Sequence, residues 1–327
     1  MVTKQEILAL IGPELQKIEA VLKNNFQSYV PFINQVSQHI LFAGGKRLRP
    51  LLMILSTRLC GSKTTEQSYR LSVLFEYLHT ATLLHDDVVD EARFRRGRQA
   101  AHHLWGNQAV ILVGDFLYSR AIRIAVEEGN MDILDVISRT TTLMSEGEVL
   151  QLLNLDNVEL TEEDYYEVIY RKTAVLISAA CEVGAIHANR DGWQRESLKQ
   201  YGKFLGYAFQ ITDDLLDYTG VKAETGKDIG NDFKEGKVTL PFILALEEAQ
   251  PEDRQKLLFL IKKKGAVSKA DFDEACKLIE KYDGFSRTRE KAALFIKKAL
   301  EELGKFEPSP TRELLEKLTH FVLIRKN

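Results

Sequence analysis

Two short acidic segments contain the side chains best suited to chemistry. They are residues 86–90, with the sequence DDVVD, and residues 213–217, with the sequence DDLLD. On an α-helix, aspartates at i, i+1 and i+4 lie within an arc of about 100°, so each segment crowds three carboxylates into one patch. Such carboxylates repel one another unless a cation lies between them. Hard cations such as Mg²⁺ take carboxylate oxygens and keep positions for water or substrate phosphate, so each segment predicts a Mg²⁺ site.

Arginines follow the first acidic segment at once, namely Arg93, Arg95, Arg96 and Arg98. Their guanidinium groups match the geometry of phosphate oxygens. Carboxylates that need a cation, next to arginines that need an anion, indicate that the ligand is a metal-bridged phosphate ester.

A solvated helix face is the alternative interpretation of an acidic segment, and a single copy would favour it. Two copies are expected by chance in roughly 0.002 of chains this long, because charged residues make up about a quarter of a typical chain. Both copies also lie among apolar residues, where an uncompensated charge is costly. We therefore expect two acidic helices that face each other across a cavity.

Two further features are candidates for binding an anion. Residues 44–50, with the sequence GGKRLRP, place three cations at a helix start that Pro50 presets. The helix N-terminus adds its own partial positive charge, although an ordinary solvated turn is the alternative. His79 precedes Asp86 by two helical turns and occupies nearly the same face. A lone histidine there is also typical of a core residue.

The second half of the chain offers more candidates. Arg171, Lys172 and Thr173 lie on a predicted helix and are followed by an apolar stretch at 174–177, where a basic side chain needs an anion. A loop at 220–236 is rich in Gly, Lys and Asp and is suited to closing over a charged ligand, with Lys227 and Lys237 as phosphate contacts. Glu148 lies on a predicted helix and faces either the cavity or solvent.

Helices must position these residues. Apolar side chains recur at three- and four-residue spacings from position 8 onward, and nothing alternates as a strand would. Gly114 and Asp115 are expected to interrupt a helix at 105–125, and residues 161–164 predict a capping box. We expect an all-α fold: a single domain over residues 1–327, with roughly ten or more helices around a central catalytic cavity.

Composition limits the possible partners and location. A formal charge of -3 and a pI near 6.2 provide no overall attraction to nucleic acid or an anionic membrane. Three cysteines, distant from one another in sequence, favour a reducing cytosol over a disulfide framework. No apolar run approaches the ~20 residues of a membrane span, and the N-terminus lacks the pattern of a signal peptide. We expect a soluble cytoplasmic protein.

The chain resembles the trans-isoprenyl diphosphate synthases over nearly its whole length. The resemblance runs from GGKRLRP at 44–50, through both acidic segments, to GKVTLP at 236–241. It is most similar to the bacterial long-chain members of the octaprenyl type, notably around EGEVLQL at 146–152 and ITDDLLDY at 211–218. This resemblance implies an enzyme that joins isopentenyl diphosphate to an allylic diphosphate.

The resemblance also implies roles for individual residues. The diphosphate of isopentenyl diphosphate would be held by Lys46, Arg49, His79 and Arg96. The allylic diphosphate would be held by Arg95, Lys172, Thr173, Gln210, Lys227 and Lys237. Three Mg²⁺ ions would be bound, once substrate is present, by Asp86, Asp90 and Asp213 with support from Asp87, Asp214 and Asp217. The implied catalytic residues are Asp86, Asp90, Lys172, Asp213 and Lys227.

The implied reaction follows from charge. Loss of diphosphate leaves an allylic cation, which the alkene of isopentenyl diphosphate attacks, and the departing diphosphate removes the proton. Each cycle adds one five-carbon unit, and the growing tail enters an apolar tunnel. A homodimer is implied by the resemblance alone.

Tunnel depth is expected to depend on the helix that leads into the first acidic segment. Positions four and five before Asp86 are the small residues Thr82 and Ala81, and Leu78 and Phe75 lie further along the same helix. In the family, bulky aromatic residues near the first two positions accompany short products. We therefore expect a long-chain product, octaprenyl diphosphate, for quinone side chains.

Three alternatives stay open. A short-chain synthase that makes farnesyl or geranylgeranyl diphosphate shares every catalytic residue and differs only in the tunnel. A terpene cyclase normally replaces the second acidic segment and lacks the pair Lys46 and Arg49. A non-catalytic subunit of a heteromeric synthase tends to lose one acidic segment, and this chain has both.

Overall fold

The computed structural model describes residues 4–95, 97–220, 229–263 and 265–324, and these are almost entirely helical. The helices before residue 160 are α1 (Lys4–Asn25), α2 (Pro31–Leu41), α3 (Leu48–Leu59), α4 (Glu66–Ser72), α5 (Leu74–Val89), α6 (Ala101–Trp105), α7 (Asn107–Glu127) and α8 (Met131–Leu153). Those after it are α9 (Glu162–Ile169), a π-helix (Tyr170–Ala174), α10 (Val175–His187), α11 (Trp193–Thr219), α12 (Asn231–Lys234), α13 (Leu240–Glu248), α14 (Pro251–Ile261), α15 (Lys269–Lys281), α16 (Gly284–Leu303) and α17 (Pro310–Ile324). An antiparallel pair of two-residue strands, β1 (Phe94–Arg95) and β2 (Arg98–Gln99), joins α5 to α6. The expected all-α fold with more than ten helices is confirmed.

The contacts within the chain define two compact units. Unit 1 comprises Met1–Arg139, Ala179–Lys199 and Phe306–Leu315, and unit 2 comprises Thr140–Ser178, Gln200–Lys305 and Glu316–Asn327. The first acidic segment belongs to unit 1 and the second to unit 2. The single domain, and the acidic helices facing one another across a cavity, stay predictions. No helix in the described part of the chain combines the length and the apolar character needed to cross a membrane.

Unit 1 is organised around α5. This helix is buried along most of its length and packs along α7. The expected break of α7 at Gly114 is wrong, because the helix continues from Asn107 to Glu127. A Cβ atom at Gly114 would lie 2.3 Å from Nε2 of His85, so glycine here admits the imidazole of α5 rather than ending the helix.

Unit 2 is organised around α11. Two glycines one turn apart on this helix lie against the backbone of the preceding elements: a Cβ atom would come 2.7 Å from Cα of Ser178 at Gly202, and 2.5 Å from Cα of Ala174 at Gly206. Side chains at these positions would separate the elements, so the small residues set the close packing of α11. The predicted capping box that begins α9 is confirmed: Thr161 Oγ1 accepts the N–H of Asp164 at 3.1 Å.

Candidate active site

The first acidic segment lies at the C-terminal end of α5. Asp90 caps the helix and donates its N–H to the carbonyl of Asp86 at 2.7 Å. Asp86 is half-buried, Asp87 is buried and Asp90 is exposed. The three carboxylates therefore share one helix end but differ in their solvation.

Arg95, from the β-hairpin, binds the buried member of this segment. Its Nε donates to Asp87 Oδ1 at 2.7 Å, and its Nη2 lies 2.5 Å from the same oxygen. Asp87 Oδ2 is also buried, and among the described residues it has no hydrogen-bond partner. A buried carboxylate oxygen with unused lone pairs fits the donor set of a hard cation.

A metal site would need ligands beyond these side chains. Within the described ranges, no three acidic, histidine or cysteine side chains come together as a preformed metal site. Mg²⁺ commonly takes only one or two carboxylates and completes its shell with water and substrate phosphate. The residues of both acidic segments fit that arrangement by type.

The segment at 44–50 differs from its expected form in one residue. Arg47 does not join an anion site: its guanidinium is 3% exposed, and it contacts Glu19 Oε1 at 2.6 Å, Glu76 Oε2 at 3.0 Å and the carbonyl of Leu41 at 2.5 Å. Its backbone has a positive φ of 48°, which turns the side chain inward at the start of α3. The expectation of three cations facing a ligand is wrong, because one of them stabilises the interior.

The other residues predicted for isopentenyl diphosphate flank this buried ion pair or lie nearby in unit 1. Lys46 is exposed and Arg49 is half-buried at the start of α3, and half-buried His79 lies on α5, which contacts α3. Arg96 lies outside the described residues. The binding role of this set stays a prediction.

The predicted tunnel residues lie on α5 before the first acidic segment. Ala81, Leu78 and Phe75 are fully buried, and Thr82 is half-buried with its hydroxyl bonded to the carbonyl of His79 at 2.9 Å. Among these four, the small residues Ala81 and Thr82 precede Asp86 by about one turn, and the larger Leu78 and Phe75 lie about two and three turns before it. The tunnel itself stays a prediction.

The second acidic segment occupies the last turns of α11. Asp213 and Asp217 are half-buried, whereas Asp214 is only 5% exposed. The carboxylate of Asp217 accepts the backbone N–H groups of Asn231 at 3.3 Å and Asp232 at 3.0 Å, so it caps α12. Asn231 and Asp232, near the C-terminal end of the predicted loop at 220–236, thus contact the second acidic segment.

Asp214 belongs to a buried hydrogen-bond network. Its Oδ2 accepts the hydroxyl of Tyr165 at 2.6 Å, and its Oδ1 accepts Nε2 of Gln210 at 2.7 Å. The carbonyl oxygen of Gln210 accepts the hydroxyl of Thr173 at 2.8 Å. Burial raises the pKa of Asp214 to about 8, and the carboxylate of Asp232 adds to this rise, whereas the two donors favour the ionised form.

Lys172 and Thr173 lie in the π-helix at Tyr170–Ala174. π-Helical turns are rare and frequently occur at functional sites. Lys172 Nζ pairs with Glu148 Oε2 at 2.7 Å, so Glu148 faces this site. Gly147 beside it allows the approach, because a Cβ atom there would lie 2.8 Å from the backbone nitrogen of Lys172.

A cavity of about 130 Å³ in unit 2 brings many of these residues together. Five residues predicted from the sequence line it, namely Lys172, Thr173, Gln210, Asp214 and Lys237. Lys227, predicted for the same ligand, lies outside the described residues. The cavity thus combines cations, hydroxyl and amide groups with a carboxylate, which are the groups that recognise a phosphate and its counter-ion.

Sequence reasoning missed two residues of this cavity. Tyr165 lies seven residues before Lys172, a two-turn spacing that would have placed both on one helix face. Asp232 lies in the acidic and basic loop but was assigned no role there. Its Oδ1 lies 3.6 Å from Lys237 Nζ, and Glu235 Oε2 lies 2.7 Å from the same nitrogen.

Comparisons with known proteins agree with the motifs. The sequence profile of the family described as Polyprenyl synthetase matches residues 30–279. The chain is 36% identical to the octaprenyl diphosphate synthase of Escherichia coli (98% of each chain) and 37% identical to a geranyl-diphosphate-specific all-trans-nonaprenyl-diphosphate synthase of Rhodobacter capsulatus (98% of each). A crystal structure of a polyprenyl synthase from Caulobacter crescentus, complexed with calcium and isoprenyl diphosphate, superposes with a TM-score of 0.92 at 39% identity, covering 98% of this chain and 97% of the other.

Proposed function

The chain belongs to the polyprenyl synthetase family, and from that premise we propose that it makes a long-chain all-trans polyprenyl diphosphate. It condenses isopentenyl diphosphate head to tail (1′-4) with an allylic diphosphate. The observation that carries this proposal is the cavity of unit 2, where five residues predicted for the allylic diphosphate and its cation lie together. The substrates of the relatives have the chemistry that such a cavity recognises.

The cation-binding residues are Asp86, Asp90 and Asp213, supported by Asp87, Asp214 and Asp217. These residues would hold Mg²⁺, three ions with substrate present, which would supply positive charge for the leaving diphosphate. Arg95, Lys172 and Lys237 add charge from the protein, and hydrogen bonds from Thr173 and Gln210 orient the same group.

The two lysines of this cavity, Lys172 and Lys237, form ion pairs that a diphosphate can replace. Lys172 pairs with Glu148 and Lys237 pairs with Glu235, and all four side chains are partly exposed. Such ion pairs contribute about 1 kcal/mol or less, so an incoming diphosphate replaces these carboxylates at little cost. Arg95 differs, because its partner Asp87 is buried and stays in place. We propose that the departing diphosphate then takes the proton from the condensed product.

Two observations favour a long product. The relatives named above are octaprenyl and nonaprenyl diphosphate synthases by name, and Ala81 and Thr82, on α5 five and four residues before Asp86, have small side chains. We propose octaprenyl diphosphate as the product and quinone side chains as its use. We also propose that the chain acts as a homodimer, which light scattering at the assay concentration checks.

One incubation tests the function as a whole. The purified chain is given Mg²⁺, isopentenyl diphosphate and each allylic primer in turn, and the dephosphorylated products are separated by chromatography. A product of eight five-carbon units is expected. Products of three or four units would favour the short-chain alternative, and no turnover by the single chain would favour the non-catalytic subunit.

The tunnel assignment predicts that Ala81→Phe shortens the product. Ala81 is fully buried on the face of α5 that would line the tunnel, so an aromatic ring there blocks the tail. A graded series, Ala81→Val, Ala81→Leu and Ala81→Phe, should give progressively shorter chains. Ala299→Phe, at an equally buried alanine of α16, controls for the strain of overpacking, which costs about 1–3 kcal/mol. An unchanged product distribution across the series would refute the assignment.

The close contact at Gly147 predicts that Gly147→Ala weakens binding of the allylic substrate. The added Cβ would lie 2.8 Å from Arg171 Cβ and from the backbone of Lys172, so the π-helix must shift and displace the Lys172 ammonium group. We expect a roughly tenfold rise in KM for the allylic diphosphate, since small misplacements of binding groups are costly. Gly12→Ala is the matched control, because a Cβ at this helical glycine meets nothing within 4 Å. Equal KM values in the two variants would contradict the prediction.

A further inference from the structure

Tyr165 contributes no charge to the cavity of unit 2. Of the hydrogen bonds to the second acidic segment described above, however, the one from Tyr165 is the shortest. Its hydroxyl donates to Asp214 Oδ2 at 2.6 Å. Both groups are buried, with Tyr165 3% and Asp214 5% exposed. Burial and the adjacent carboxylate raise the pKa of Tyr165 well above its ordinary value, so the phenol keeps its proton and remains the donor.

The hydrogen bonds of the network lead toward Asp214. Thr173 donates its hydroxyl to the carbonyl oxygen of Gln210, which turns the amide NH₂ of Gln210 toward Asp214 Oδ1. Tyr165 supplies the donor for the other carboxylate oxygen. Each oxygen of Asp214 therefore accepts a hydrogen bond from the protein, and the orientation of Asp214 is coupled to that of Thr173 in the π-helix.

Asp214 needs these donors because of its surroundings. It is buried and lies near two further carboxylates, Asp232 and Asp213, which disfavour its charge. A buried carboxylate that loses a donor keeps its full desolvation cost, so it must rotate, take up a proton or draw in water. Any of these changes would disturb the last turns of α11, where Asp213 lies next in the chain.

We propose that Tyr165 is a positioning residue for the second acidic segment. It holds the Asp214 carboxylate, and through Gln210 it holds Thr173, in the arrangement that presents Asp213 to the cation and Thr173 to the allylic diphosphate. Asp214 then acts as a buried anchor whose two oxygens are occupied by protein donors. This inference rests on the proposed function for the identity of the ligand but not for the geometry.

The neighbouring tyrosine provides a matched control. Tyr166 is the next residue of α9, but its hydroxyl donates to Glu162, and its ring packs against Phe295 and Tyr207. Tyr165→Phe and Tyr166→Phe remove the same atom from adjacent positions, and each leaves a carboxylate without one donor. Only the first of them removes a hydrogen-bond donor of Asp214, although the two rings also contact each other with their centroids 5.7 Å apart.

The experiment compares the two variants in binding and in turnover. Binding of Mn²⁺ together with a thiolo analogue of an allylic diphosphate is measured by calorimetry and by paramagnetic resonance. Loss of a residue that orients a metal ligand typically costs about 10–100-fold in affinity, and we expect Tyr165→Phe to weaken this binding by that factor. In steady state, KM for the allylic substrate should rise while KM for isopentenyl diphosphate is unchanged. Tyr166→Phe should match the wild type in all three measurements.

A thermodynamic cycle gives an independent test. If Tyr165 acts through Asp214, the effects of Tyr165→Phe and Asp214→Asn on binding are non-additive. Once Asp214→Asn has removed the carboxylate that Tyr165 orients, loss of the Tyr165 hydroxyl should have little further effect. Additive effects, an equal loss for both substrates, or an equal loss in Tyr166→Phe would overturn the proposal. If Tyr165→Phe does not fold, Tyr165→His, which keeps an N–H donor at this position, is measured instead. Near-wild-type binding of Mn²⁺ and the analogue is then expected, and a loss of about 10–100-fold would overturn the proposal. A wild-type chain without prenyl transfer would refute the proposed function, whereas the Mn²⁺ measurement would still decide the role of Tyr165.

Discussion

Asp86→Ala and Asp213→Ala are each expected to lower turnover by roughly 10²–10³-fold without unfolding the protein. Each carboxylate is assigned to hold the Mg²⁺ that stabilises the leaving diphosphate, and the loss of one such electrostatic group commonly costs about 10²–10³-fold in kcat. Both residues are half-buried on helix ends. Because neither side chain is fully buried, the substitution to alanine creates no closed cavity, and the free energy of unfolding should change little.

The measurement is the rate at saturating substrate over a range of Mg²⁺ concentrations, with circular dichroism and denaturant unfolding on the same samples. Asp135→Ala is the control, because this aspartate is 71% exposed on α8 and pairs only with Arg139 one turn away among the ion pairs of the described residues. It should leave both rate and stability unchanged. A near-normal rate in either Asp86→Ala or Asp213→Ala would mean that this acidic segment is not a metal site.

The buried members of the two segments behave differently, and the sequence does not distinguish them. All six aspartates occur in the same spacing, yet Asp87 binds Arg95 and Asp214 binds Tyr165 and Gln210 inside the protein. Helical periodicity places a side chain on a face but does not tell which neighbour will cover that face. The neighbours of Asp214 lie up to 49 residues away in the chain. The pattern thus predicts the metal chemistry, and packing assigns the separate roles.

The sequence also does not predict where a helix changes from α to π or where it continues through a glycine. The position of the capping box at Thr161 follows from a local signal and is confirmed. The π-helix at Tyr170–Ala174 contains about one more residue per turn than an α-helix, but its amino-acid composition is not distinctive. The three- to four-residue spacing of apolar side chains therefore does not predict it. The continuation of α7 through Gly114 depends on His85, a residue of another helix. Local sequence signals therefore predict where helices lie, whereas the π-helical turn and the uninterrupted course of α7 depend on tertiary contacts.

Arg47 is the clearest case, and it carries the largest expected effect on stability. The segment at 44–50 has the composition of an anion site, but the guanidinium of Arg47 is buried and pairs with the carboxylates of Glu19 and Glu76. These residues are 28 and 29 positions away in the chain. Arg47→Met should lower the free energy of unfolding by about 3–5 kcal/mol, because Glu76 is left as an uncompensated charge with a 4% exposed side chain. Glu19 is 34% exposed and can be solvated instead. Denaturant unfolding monitored by circular dichroism measures the change.

The double variant Arg47→Met/Glu76→Leu separates the ion pair from the packing. Replacement of both partners by apolar side chains removes the unpaired charge, so most of the lost stability should return even though neither charge is present. Arg70→Met is the control, because this arginine pairs with Glu127 on the surface and should contribute no more than about 1 kcal/mol. A loss below about 1 kcal/mol in Arg47→Met would contradict the buried ion pair. If the loss occurs as expected, Arg47 fixes the start of α3, and with it the backbone from which Lys46 and Arg49 extend.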